Sequence, residues 1–175
     1  MYAGHVGIAL GAHGLRRAVP LWLLIIASQL PDWTDAALCL SGIRPEVPGM
    51  YSHSLPAVLV LAAIASGAFF AFSRDWEGIL LVAAVVLSHV LMDYVTGIKP
   101  LWPGGAMIGL QLYHAPAIDF VIETVVVIAG WFLYRPTLDQ DRRSTAPVFT
   151  LLGALLAAQL AADIFMSLSP GLRKC

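Results

Sequence analysis

Two stretches of this chain run the width of a membrane without one charged side chain: Ser54 to Ser73 and Ser144 to Ala162. About 20 apolar residues in a helix cross the hydrocarbon core of a bilayer. Backbone N–H and C=O groups find no water there, so only helices and closed barrels can pass through. The period-2 alternation of barrel strands is absent, which leaves helices. Three more segments have spanning length with polar interruptions: Ala18 to about Leu40, broken at Pro31-Asp32; Glu77 to about Val95; and Ala115 to Tyr134. A shorter Gly-rich segment, Tyr2 to about Leu15, completes the set. The expected fold is all-α, an integral membrane bundle of about five to six helices with a polar metal site near one membrane face. Residues 1–175 form a single domain by this reading.

Composition narrows the function. Only 12% of the residues are charged and 59% are hydrophobic, against roughly 25% charged in an ordinary soluble domain. The formal net charge of -1 offers no basic patch for nucleic acid. Cys39 and Cys175 form no CxxC pair, so a thiolate metal site is not expected. The first residues lack a basic n-region, so no cleavable signal peptide is expected.

The polar residues inside the apolar segments are the chemical signal, because ionisable groups in spanning helices are costly and mark function. They are His5; Asp32 with Asp35; His53; His89 with Asp93; and Asp119 with Glu123. If each helix crosses once, all of these fall on the same side of the membrane, as does Asp163. The opposite side collects Arg16, Arg17, Arg74, Arg135, Arg142 and Arg143, against Arg44, Lys99, Arg173 and Lys174 on the cluster side. The positive-inside rule then points the cluster away from the cytoplasm.

His89 and Asp93 stand at i, i+4 and share a helix face. Imidazole and carboxylate suit a common divalent cation, here zinc first, with manganese or iron as alternatives. Asp32 and Asp35 follow Pro31, which is expected to break the helix and free carbonyls near a ligand. Ser52 or Ser54 would cap the third helix, with His53 at its mouth. The expected metal ligands are His5, Asp32, His53, His89 and Asp93, for one to two or more ions. Asp35, Asp119 and Glu123 are the candidate general bases. His13, about 12 Å along its helix from His5 at 1.5 Å per residue, is left out. His114, close to Asp119 in sequence, reads either as a solvated loop residue or as a further ligand. Asp163 with Gln159 reads as a hydrogen bond between helices.

The ordered set resembles small bacterial and archaeal membrane-bound metal-dependent hydrolases, some described as LexA-regulated inner-membrane proteins. The matching elements are His5, Leu30-Pro31-Asp32 with Asp35, Ser52-His53-Ser54, His89-x-x-x-Asp93-x-x-Thr96-Gly97, the Pro100 and Pro103 turn, and Ile118-Asp119. The order is distantly similar to the zinc-dependent phospholipase C and single-strand nuclease fold, in which metal-bound water cleaves phosphoesters. That resemblance implies ligand roles for the five residues above, with Asp93 bridging. Asp119 stands where that fold has a histidine. The His-Arg that often precedes Ser-His-Ser in the family is absent, which leaves Arg44 or Lys99 to meet a substrate anion. The implied function is a membrane-embedded metal-dependent hydrolase acting on a phosphoester or ester of a lipid or membrane-associated substrate. A metal-ion or proton transporter, or a structural protein with a non-catalytic metal site, are the alternatives.

Overall fold

The computed structural model describes residues 3–43, 45–143 and 146–168. Six α-helices form the bundle: α1 (Ala3–Leu15), α2 (Leu21–Leu40), α3 (Leu55–Phe72), α4 (Trp76–Thr96), α5 (Pro116–Tyr134) and α6 (Ala146–Leu168). Four of them, α3 to α6, are long and apolar enough to cross a membrane by length and composition. Large apolar side chains cover the outside, among them Leu59, Ile64, Phe72, Leu91, Val121 and Phe132. The buried set includes three histidines, two aspartates and a glutamate. Apolar outside and polar inside is the distribution a lipid-embedded bundle requires.

The shortest helix is the innermost. Thirteen residues make α1 about 20 Å long at 1.5 Å per residue, less than the ~30 Å hydrocarbon core. It packs against α5, α2, α4 and α6. Glycines allow this. A Cβ on Gly7 would stand 2.7 Å from the Val127 Cα, and one on Gly130 would overlap the Gly7 backbone. Small residues in this way let two helices touch backbone to backbone.

The connectors on one side are tied to each other. Arg16, after α1, pairs with Asp75 at 2.5 Å and with Glu77, at the start of α4. That pairing holds the Asp75 carboxyl below its usual range. Arg17 donates to the Pro136 carbonyl, beyond α5. On the other side, Gln159 of α6 accepts from the Ala3 N–H and Leu55 donates to the Leu101 carbonyl. The alternation read from the sequence therefore holds for these connectors.

Three local expectations are corrected. Pro31 does not break its helix, for α2 runs unbroken from Leu21 to Leu40. Proline removes one helical hydrogen bond and crowds one carbonyl, and the neighbouring tertiary contacts carry α2 through it. A minimal antiparallel ladder, β1 (Lys99–Pro100) with β2 (Met107–Ile108), sits in the α4–α5 connector where no strand was expected. Ser54 occupies the N-cap position of α3, yet its hydroxyl bonds back to the Met50 carbonyl and does not cap.

Candidate metal centre

Four of the expected ligands meet at one point. Asp32 from α2, His53 from the loop before α3, and His89 and Asp93 from α4 form a group that could hold a metal ion, with ligand atoms all within 4.8 Å of one another. The His53 Nε2 is 3.1 Å from Asp32 Oδ1, 3.2 Å from Asp93 Oδ2 and 3.4 Å from His89 Nε2. The His89 Nε2 is 3.5 Å from Asp32 Oδ1 and 3.7 Å from Asp93 Oδ2. A tetrahedron with zinc–nitrogen and zinc–oxygen bonds of ~2.0–2.2 Å has edges of roughly 3.3–3.6 Å. The donor set fits a small divalent ion.

Hydrogen bonds behind the rings fix which nitrogen faces the centre. His89 Nδ1 lies 2.6 Å from the Ser28 carbonyl, which can only accept, so this nitrogen carries the proton. His53 Nδ1 lies 2.7 Å from Ser52 Oγ, and that hydroxyl donates to Asp35 Oδ1 at 2.9 Å. The hydroxyl proton is therefore spent on Asp35, and His53 Nδ1 donates to the oxygen. In neutral rings, both Nε2 lone pairs then point at the centre beside two carboxylate oxygens. Four acceptors converge, and a cation is the natural occupant. Partners that set tautomer and ring orientation in this way are typical of metal-ligating histidines.

Electrostatics agree. Burial opposes charge on His53, but its hydrogen bonds to the Asp32 and Asp93 carboxylates outweigh it and its pKa is raised. The two carboxylates thus favour positive charge at this point, and a divalent ion would supply it.

Three ligands are nearly sealed, with His89 at 0%, His53 at 1% and Asp93 at 2% exposure, whereas the Asp32 side chain is 31% exposed. The site opens on the Asp32 side. Lys99, on the small ladder, places Nζ 3.0 Å from Asp93 Oδ2 and is itself partly exposed. Arg44, the other cation expected to meet a substrate anion, lies outside the described residues, as do Arg173 and Lys174.

The remaining candidates sit around this group. His5 is fully buried, and its ring stacks on His89 at 3.8 Å and 14°. Its Nε2 is 3.6 Å from Asp93 Oδ1, outside the four-ligand group. Asp35 reaches the centre only through Ser52. Asp119 and Glu123 are buried on one face of α5, which packs against α1, and Glu123 accepts from the Gly4 N–H at 3.2 Å. Gln159 bridges Ala3 N and Asp163, as the i, i+4 spacing suggested. His13 bonds the Val19 carbonyl among the connectors of the opposite side, and His114 is exposed. The Ser28 carbonyl carried no sequence signal, and the serine beside His53 read as a cap, not as an orienting group.

The YdjM inner membrane protein family matches residues 2–167 of the chain, and the chain belongs to that family. With its four membrane-length apolar helices it is an inner membrane protein. No curated protein and no solved structure matches it.

Proposed function

We propose that this inner membrane protein is a metal-dependent hydrolase acting on a phosphoester or ester of a lipid or membrane-associated substrate. The observation that carries the reading is the convergence of two imidazole lone pairs and two carboxylate oxygens with one exposed side, at Asp32. Zinc suits nitrogen and oxygen ligands at these spacings best, and manganese or iron also take such ligands. A bound divalent ion would make water nucleophilic near neutral pH and stabilise negative charge on the reacting group. The chain's own groups divide the rest of the work. Ser52 and Asp35 orient His53, and the Ser28 carbonyl orients His89. Lys99 offsets negative charge beside Asp93. Glu123 and Asp119 are the carboxylates left for proton transfer. The site lies about 20 Å along α4 from Trp76, at 1.5 Å per residue, toward one end of the bundle. A membrane lipid's linkage region and water can both reach that level.

One observation favours a second reading. Four protein ligands can complete a tetrahedral shell, as structural zinc sites do, while catalytic sites keep a position open. The two readings separate on turnover of a chromogenic phosphoester and of phospholipid in mixed micelles by metal-loaded protein. The hydrolase reading expects turnover that disappears together with the metal in His89→Ala. Full turnover by metal-free His89→Ala protein would refute it. A stoichiometric metal with no turnover and no response to small competing anions would assign the ion a structural role.

A further inference from the structure

A second site lies at the opposite end of the bundle, in the connector between α5 and α6. A cavity of about 500 Å³ is lined there by Tyr134, Leu138, Arg142, Pro147, Val148 and Leu151. Its walls are apolar apart from the tyrosine and the arginine. The connector also carries Arg135 and Arg143, and Arg17 reaches in from the α1–α2 turn. These three guanidinium groups donate to neutral carbonyls. Arg17 uses Pro136; Arg135 uses Arg143; Arg143 uses Leu138 and Pro136. Carbonyl partners leave the positive charge in place. Arg135 also lies over the Trp131 and Phe149 rings, at 5.5 and 5.7 Å. The only acids on the connector are Asp139 and Asp141, both exposed. Four arginines less two aspartates leave a local charge of +2. The first turn of α6, at the rim, has no acidic residue.

We infer that this cavity binds an anionic phospholipid, the phosphate at Arg142 and its arginine neighbours and the upper acyl chains against Leu138, Val148 and Leu151. Three features select that occupant. The cavity is basic at its rim and apolar within. It stands at the end of two membrane-length helices and is lined by Tyr134, a residue type that settles at headgroup level. Its side is the arginine-rich one, which the positive-inside rule turns toward the cytoplasm, where anionic lipids attract basic groups. The inference is independent of the metal site and of any hydrolytic activity.

The test uses full-length protein, stripped of lipid in mild detergent and titrated with phosphatidylglycerol or phosphatidylcholine. Bound lipid is counted by native mass spectrometry. Wild type should retain phosphatidylglycerol in preference to phosphatidylcholine. Replacing Arg142→Gln and Arg143→Gln together should weaken retention roughly tenfold or more, the order expected for two basic side chains at an anionic surface. Leu151→Trp, at an exposed position on α6, keeps the charge and fills the cavity, and it should also lose the lipid. It keeps the test decisive if the double variant does not fold. Equal retention of the two lipids would overturn the proposal, as would undiminished retention in Leu151→Trp. Complete displacement by inorganic phosphate would overturn it in favour of a free anion.

Discussion

Ser52→Ala tests the tautomer argument at its most exposed link. The Ser52 hydroxyl accepts from His53 Nδ1 at 2.7 Å and donates to Asp35 at 2.9 Å. Alanine leaves a buried Nδ1–H without its partner and lets the neutral ring place its proton on either nitrogen. Loss of such an outer partner costs about 10- to 100-fold in metal affinity. An unpaired buried donor costs about 1–3 kcal/mol, the same order once converted at ~1.4 kcal/mol per decade. Asp35→Asn is the control, because its amide oxygen still accepts from Ser52. Its metal affinity should change far less. Competition with a chromophoric chelator, in detergent at fixed pH, reads both variants. Unchanged affinity in Ser52→Ala would refute the reasoning. Loss of affinity in Asp35→Asn equal to that in Ser52→Ala would show that the charge of Asp35, not the tautomer, holds the site. Normal metal binding with abolished turnover in Asp35→Asn would restore Asp35 as a general base.

Gly130→Ala should lower thermal stability by about 1–3 kcal/mol or more, the cost of overpacking, because its Cβ would overlap the Gly7 backbone; a melting temperature equal to wild type would contradict the α1–α5 crossing. Metal affinity should fall as pH drops through the imidazole range. Because the pKa of His53 is raised, its proton competes with the metal from a higher pH than a free imidazole's would, and an NMR titration of metal-free protein that placed His53 below the ordinary histidine range would contradict this. Glu123→Gln keeps an acceptor for the Gly4 N–H, so it should leave metal content and folding intact while reducing turnover by about 10²- to 10⁴-fold if Glu123 moves a proton; unchanged turnover would remove it from the mechanism. Asp75→Asn should make stability less sensitive to acid. The Asp75 pKa is lowered by Arg16, so its contribution is present above the ordinary carboxylate pKa and lost as pH falls, and an unaltered acid transition would argue against the Arg16 clasp.

The helices were legible because hydrocarbon length and charge-free runs leave few options. The bounds of α3, α5 and α6 follow Ser54, Pro116 and the arginine-rich connector closely. Crossing direction then placed the polar clusters on one side, and the i, i+4 pair His89 and Asp93 shared a face as helical geometry demands. The importance of α1 was less visible. Its length suggests a marginal segment, whereas its glycines let it enter the centre of the bundle, where His5 stacks on His89. Asp119 and Glu123, on the α5 face packed beside α1, lie outside the four-ligand group, and spacing along one chain cannot report which neighbour a helix face will meet. Pro31 carried a local signal that tertiary packing overrode. The orienting groups were the hardest to see. The Ser28 carbonyl is backbone, which every residue has, and the hydroxyl of Ser52 acquires meaning only when Asp35 is folded against it.

The account stands on four acceptors requiring a cation, and the metal-to-protein ratio measures that most directly. Elemental analysis of protein purified in mild detergent should find one divalent ion per chain, retained through dialysis and missing from folded His89→Ala and Asp93→Asn. Folded wild-type protein that stays metal-free after incubation with zinc, manganese and iron would contradict it.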